Sequence, residues 1–465
     1  MYRLVIPAAL LQQLSGHLDA AQPREEGAFL LIRVGRGNSG VRMLAHELLL
    51  PPPNGWESRG LDRLRPAGQW LSAVIGSAIE ASSGFAFIHS HPGRSHPTTL
   101  SPLDRETSIE WSKSLTRTVG RPFASLVWSA GRISGWAFEP ADPARPHDIE
   151  RIDALGNGNV RALHPLIEPT EQSELDDRQV RALQRLGNAR LRQLSIGVVG
   201  AGGTGSAVAE QLARLGVSAI TLVDPDRLDT PSNLRRVVGS RPSDLHGGLS
   251  KAEVVGRHLK EIGLSEDVMA LTQDVRTQSA ARALLDTDLV ISTTDTHSSR
   301  AFLNQIAYQY ELPLLDVGAR VGLKKSGEVS GMPVEVRVLL PDNGCLWCRG
   351  VLSADRIREE NLPADERARL AAEGYVQGLE GPQPSLASLN YFAASLTVLT
   401  AIRLYSGQPL VSQSFILDPW EQYVQRGSDG INPDCICHDW RGFADELPIA
   451  YLPETRPATG SRSPL

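Results

Sequence analysis

The sequence predicts an α/β chain of two domains, an α+β one first and then one built on βαβ units with a mostly parallel sheet. Three observations predict it. Short apolar runs alternate with one helical stretch up to residue 138, and a stretch rich in Pro, Gly, Asn and Asp follows. Further on, a glycine-rich turn stands directly between a strand and a helix. With 465 residues, 41% of them apolar and 22% charged, the chain can bury ample core and is not disordered as a whole. A net charge of -6 excludes a chain whose overall charge recruits nucleic acid.

In the first domain, residues 1–138, GAFLLIRV, FAFIHS, FASLVWS and ISGWAF read as strands, and residues 66–82 as a helix. EPADPARPHDIE and GNGNVRALHPLIEPTEQS make 139–173 a linker. The second domain, 174–440, opens with the helix DDRQVRALQRLGNARLRQL, then the strand SIGVVG, the helix SAVAEQLARLG and the strand AITLVDPD. LVISTTD and PLLDVGA continue it as strands and NYFAASLTVLTAIRLY as a helix, and 441–465 reads as a frayed Pro/Ser-rich tail. The N-terminus has no apolar run with a cleavage site, and no stretch reaches the ~18 apolar residues of a membrane span. A cytoplasmic protein with no membrane partner is expected.

The strand FIHSHP carries His89 and His91, which at i and i+2 point to one face and can reach one metal. Asp104 offers a third, carboxylate ligand one helical turn beyond Ser101. Three protein ligands leave a zinc position open for water, as a catalytic site requires. Glu25 is the candidate base, with Glu26 beside it as the alternative. H-x-H-P, then S-x-x-D, with an acidic residue ahead of the first strand, resembles the JAMM (MPN/JAB) metalloprotease family over about 130 residues. That resemblance implies His89, His91 and Asp104 as zinc ligands, Ser101 steadying the oxyanion and Glu25 shuttling the proton. It leaves His96 in a solvated loop.

Gly200, Gly202 and Gly205 form G-x-G-x-x-G, and Asp224 ends the next strand, where ribose hydroxyls bind. Asn233, Arg236, Lys251 and Asp295 then add a basic set and a carboxylate. Hydride transfer has no use for these, whereas ATP and its Mg²⁺ do. The ordered set resembles the ThiF/MoeB/HesA family and the related ubiquitin-activating enzymes from about 176 to 438. The resemblance implies a Rossmann-like domain that adenylates the C-terminal glycine of a ubiquitin-like or sulfur-carrier protein. It implies that Asp224 holds the ribose, that Asn233, Arg236 and Lys251 grip phosphates, and that Asp295 binds Mg²⁺ with Arg300 supporting its loop. The segment before Asn233 is one residue longer than usual, which leaves Arg235 beside Arg236 as the phosphate contact. Arg178 matches an arginine that reaches the other subunit's ATP, implying a homodimer.

The chain has four cysteines, Cys345-Leu-Trp-Cys348 and Cys435-Ile-Cys437, two close pairs of the kind a closed tetrahedral zinc site needs. His438 stands next to the second pair, so the fourth ligand is Cys437 or His438. One catalytic and one structural zinc are therefore expected. If all four thiols bind zinc, none is left for a thioester, and the adenylate passes to a partner's nucleophile such as a conjugating-enzyme cysteine. The expected function is a bifunctional enzyme of a ubiquitin-like modifier. Trimming and activation of a sulfur carrier for thiocarboxylate formation is the alternative, with a catalytically silent dimeric scaffold third.

Overall fold

The computed structural model describes residues 1–60, 64–94, 96–164, 174–373, 384–427 and 430–454. The first domain runs β1 (Tyr2–Pro7), α1 (Ala8–Ala20), β2 (Gly27–Arg36), β3 (Val41–Leu49), β4 (Trp56–Arg59), β5 (Leu64–Pro66) and α2 (Gly68–Glu80). It continues with β6 (Gly84–Ser90), α3 (Pro102–Val119), β7 (Phe123–Ser129), β8 (Arg132–Glu139), β9 (Asp142–Gly156) and β10 (Asn159–His164). β4 and β5 pair alone, while the others form one sheet in the order β1-β3-β2-β6-β7-β8-β9-β10. β9 also pairs with β1, which closes the sheet on itself.

Strands buried on both faces need apolar residues at both parities. Ala28, Leu30, Ala86 and Ile88 pack with Leu11, Leu14 and Leu18 of α1. The opposite parity, Phe29, Leu31, Phe85 and Phe87, packs with Trp70 and Val74 of α2 and Leu115 of α3. The face that a side chain joins therefore follows from whether its number is odd or even.

The predicted linker is a strand hairpin over most of its length. β9 joins β1 and β8, and β10 returns along β9. Gly156, Asn157 and Gly158 all take positive φ, so the Gly/Asn cluster makes a tight turn between two strands. The paired positions of β8 and β9 skip Pro143 and Pro146, which is how a strand tolerates them. Residues 165–173 lie outside the described residues.

The second domain runs α4 (Asp177–Arg192), β11 (Ser195–Val199), α5 (Gly203–Arg214), β12 (Ala219–Val223), α6 (Lys251–Ile262), β13 (Asp267–Leu271) and α7 (Gln278–Leu285). β14 (Leu289–Ser292), α8 (His297–Gln309), β15 (Leu314–Ala319), β16 (Gly322–Leu323), β17 (Val329–Gly331) and β18 (Val334–Leu339) follow. The last elements are α9 (Ala354–Glu360), α10 (Ala364–Ala372), α11 (Ala387–Tyr405), β19 (Ser414–Asp418) and β20 (Tyr423–Arg426). The main sheet has the order β13-β12-β11-β14-β15-β18-β19-β20, parallel as far as β15 and antiparallel beyond it. The chain winds one way from β11 to β13 and the other way from β14, so a crevice opens at the carboxyl ends of β11 and β14. α11 is the one described helix long and apolar enough to cross a membrane, against the expectation that no stretch reaches that length. Half of its apolar window is buried inside the protein.

The domains dock closely. Val5, Leu44, Leu155 and Val160 of the first domain join the core of the second. Arg3 and Arg151 pair with buried Asp288 at 2.6 and 3.1 Å, and Arg42 donates to the carbonyls of Thr287, Tyr310 and Glu311. The described part of the predicted tail, 441–454, is also ordered. Asp445 accepts from the Arg36 amide, the Arg282 guanidinium and the Tyr310 hydroxyl, while Glu446 pairs with Arg121. Pro and Ser content misled there because these anchors come from residues far away in sequence.

Candidate functional sites

The first site sits where β6 ends opposite the start of β2. His89 lies on the α3 side of the sheet, stacked on Phe87 at 5.7 Å. Ser101 caps α3: its hydroxyl accepts from the Asp104 amide at 3.2 Å, and the Asp104 carboxylate accepts from the Ser101 amide at 2.8 Å. The S-x-x-D spacing is thus a capping box, and it aims Asp104 at the histidines. The Ser101 hydroxyl keeps its own hydrogen to donate.

His89 Nε2 and His91 Nε2 stand 3.2 Å apart, and each is 3.3 Å from an Asp104 oxygen. Tetrahedral zinc with ligands at about 2.0–2.1 Å sets its donor atoms about 3.3–3.4 Å apart, so the triangle fits zinc. Burial pushes the Asp104 carboxyl up, but hydrogen bonds with the two histidines hold it well below the usual carboxylate range. Thr98 Oγ1 lies 3.0 Å from His91 Nδ1 and fixes that ring.

A cavity of about 290 Å³ opens here, lined by Glu25, Phe87, His89, Asp104 and Trp111 among others. Parity separates the neighbouring Glu25 and Glu26. Glu25 shares the parity of Phe29 and lines the cavity, whereas Glu26 shares that of Ala28 and turns to the α1 side. There it pairs with Arg59 at 2.7 Å and faces His17 of α1 at 3.7 Å.

The second site is the crevice at the carboxyl ends of β11, β12 and β14, about 320 Å³ in volume. Gly200 turns the chain at φ +93°, and a side-chain carbon at Gly205 would stand 1.8 Å from the Gly200 carbonyl, so both positions demand glycine. A carbon at Gly202 would meet nothing within 4 Å, so it would project into the open crevice at the start of α5. That open approach to a helix N-terminus suits an anion. Asp224, 5% exposed, accepts from the Ala201 and Asp226 amides at 2.6 and 2.8 Å. Burial pushes its carboxyl up, and these amides pull it down.

Asn233, Arg236, Lys251 and Asp295 line the same crevice. Asn233 accepts from Arg236 at 3.0 Å, and Arg236 lines the crevice, whereas Arg235 is exposed and outside the lining. Lys251 Nζ rests 2.7 Å from Asp226. Arg300 donates to the Thr294 carbonyl and so braces the loop that carries Asp295. That loop offers the hard oxygen donors Mg²⁺ requires. Arg178 is exposed on α4 and does not line this chain's own crevice.

The four cysteines converge in one cluster. Cys345 and Cys435 sulfurs are 3.6 Å apart, and those of Cys348 and Cys437 are 3.8 Å apart. Zinc–sulfur bonds of about 2.3 Å require about 3.8 Å, so the cluster fits zinc. His438 lies 3.0 Å from the Asn432 carbonyl and outside the cluster, whose fourth member is Cys437.

The profile of the ThiF family matches residues 176–436, more than half of the chain. The chain belongs to the ThiF family. Similar proteins include the sulfur carrier protein ThiS adenylyltransferase of Bacillus subtilis, 30% identical over 29% of this chain and 40% of that one. The sulfur carrier protein adenylyltransferase of Thermus thermophilus is 28% identical over 54% of this chain and 85% of its own length. The ubiquitin-like modifier-activating enzyme 5 of Aedes aegypti is 28% identical over 39% of this chain and 47% of its own. The match thus spans less than half of the Bacillus and Aedes proteins.

The ThiF domain brings further residues to the crevice that sequence reasoning missed. Asn390 of α11 reaches over the glycine turn, its carboxamide 3.3 Å from Thr204 Oγ1. Asp274 and Arg276, paired at 2.8 Å, line the far wall. No motif marks these residues; their distance in sequence from the glycine turn hides them.

Proposed function

We propose that this chain is a bifunctional enzyme of a ubiquitin-like modifier, working in the cytoplasm. Its ThiF domain adenylates the modifier's C-terminal glycine, and its first domain, read as a JAMM-type metalloprotease, cleaves at the modifier's C-terminus. The observation that carries the reading is the crevice itself: Gly202, Asp224, Asn233, Arg236, Lys251 and Asp295 all line it in a ThiF-family domain. There Asp224 would accept ribose hydroxyls, Arg236 and Lys251 would neutralise phosphates, and Asp295 would hold Mg²⁺. The glycine carboxylate attacks the α-phosphorus of ATP, a P–O bond breaks, and pyrophosphate leaves.

In the first domain His89, His91 and Asp104 would hold zinc, which when bound acidifies water and polarises a carbonyl. Glu25 takes a proton and returns it to the leaving nitrogen, while the Ser101 hydroxyl steadies the developing oxyanion. The cysteine cluster would hold a second, structural zinc. With all four thiols in that cluster, this chain forms no thioester and passes the adenylate to a partner's nucleophile, such as a conjugating-enzyme cysteine. In a homodimer, exposed Arg178 reaches the partner subunit's crevice.

A second reading, trimming and activation of a sulfur carrier for thiocarboxylate formation, is favoured by the names of the Bacillus and Thermus relatives. Mass spectrometry of a Gly-terminated carrier incubated with ATP and this protein tests the proposal. Clipping and an added adenylate are expected. A carrier left unchanged, with every candidate tried, refutes both readings.

A further inference from the structure

Glu360, the last residue of α9, touches neither proposed metal cluster and does not line the crevice, yet its carboxylate is fully engaged. Its two oxygens accept from the amides of His297 at 2.9 Å and Ser298 at 2.7 Å, and one also accepts from the Ser298 hydroxyl at 2.5 Å. His297 and Ser298 begin α8, directly after Asp295 and Thr296. The other end of that loop is pinned as well: the Thr293 hydroxyl donates to the carbonyls of Val199 and Gly200, at 3.1 and 2.9 Å. Asp295 is therefore strung between two fixed points, one on the glycine turn and one on α9.

α9 is stapled to the crevice by more than Glu360. The Ser353 amide donates to His297 Nδ1 at 3.3 Å, and Asn361 accepts from Arg276, a crevice residue, at 2.9 Å. We infer that Glu360 is a positioning residue for the Asp295 loop, and that it sets how much Mg²⁺ this protein needs to bind ATP. This rests on the reading of the crevice as an ATP site.

Charge and position make opposite demands, which permits a clean test. A carboxylate beside the crevice repels phosphate, so removing its charge favours ATP through electrostatics alone. Glutamine at 360 has one acceptor oxygen and turns an N–H₂ toward a second N–H, so one anchor of the loop is lost. The experiment is calorimetric titration of ATP into the full chain over a series of Mg²⁺ concentrations, for wild type and Glu360→Gln. The expected result is a half-saturating Mg²⁺ concentration about fivefold higher in the variant, the scale of one lost helix cap. ATP affinity in EDTA stays equal or rises, which a general loss of structure would not give. An unchanged Mg²⁺ requirement overturns the inference and leaves the ATP site standing. A wild type that binds no ATP overturns the ATP site and this inference with it. Should Glu360→Gln fail to fold, Ser298→Ala removes one of the three hydrogen bonds, and a smaller shift in the same direction is expected; no shift overturns the inference.

Discussion

Two glycines of one turn should respond to alanine in opposite ways. At Gly205 the new methyl would lie 1.8 Å from the Gly200 carbonyl oxygen and 2.5 Å from Thr293 Oγ1. Neither can yield cheaply, because one is backbone and the other holds the Asp295 loop. Forcing a methyl into packed space costs about 1–3 kcal/mol or more, against about 1 kcal/mol gained from alanine in a helix interior. A net loss of about 2 kcal/mol, at about 2–4 °C per kcal/mol for a large domain, lowers Tm by roughly 4–8 °C. At Gly202 the methyl meets nothing within 4 Å, and φ is -75°, so the stability cost is only that of alanine at an N-cap, about 1 kcal/mol. The same methyl occupies the approach to the α5 N-terminus. ATP affinity should fall at least about tenfold, or about 1.4 kcal/mol. Thermal unfolding and calorimetric ATP titration of both variants check the pair. Wild-type ATP binding by Gly202→Ala would falsify the reading of this turn as a phosphate seat.

Metal analysis should find two zincs per chain, one lost in His89→Ala and the other in Cys345→Ser; a single zinc in the wild type removes one of the two assignments. Glu25→Gln should keep its zinc while hydrolysis of a Gly-terminated fusion falls by about 10²-fold or more, and hydrolysis at the wild-type rate would pass the role to another group. Burial raises the Glu311 carboxyl to about 8 at the domain junction. Its unfolded value is about 4.3, so the folded state holds the proton longer, and stability falls as pH rises from about 4.3 to 8 before levelling off. Glu311→Gln should therefore gain Tm progressively across that window, and a gain independent of pH would remove the cause assigned.

Much of both sites could be read from the sequence because their residues fall close together. His89, His91, Ser101 and Asp104 lie within 16 positions, and the glycine turn within six. That Glu25 and Glu26 face opposite sides of the sheet is also legible, since the odd–even alternation of AFLLI and FAFIHS fixes which face each residue joins. The hairpin of β9 and β10 is hidden because Gly and Asn serve turns and linkers alike, and its pairing with β8 and with β1, the latter more than 140 residues away, is what separates the two. Asn390, Arg276 and Glu360 were out of reach for a related reason. Each arrives from an element that follows the glycine turn by 70 residues or more, and the side chain alone, an amide or a charge, carries no mark of its neighbour.

The junction of Arg3, Arg42 and Arg151 around Asp288 bears on how the chain is made. Asp288 lies 285 positions after Arg3 and 137 after Arg151. The ribosome therefore finishes every strand of the first sheet long before Asp288 exists, although Arg151 already has Asp153 at 2.7 Å. Leu155 and Val160 wait longer still, because Leu404 and Tyr405 of the same core come more than 240 residues later. At about 5–20 residues per second, that is on the order of ten seconds to a minute with this apolar face uncovered. The order of the domains thus leaves the docking face of the first domain open while the second is made, and swapping that order would transfer the exposure to the other half.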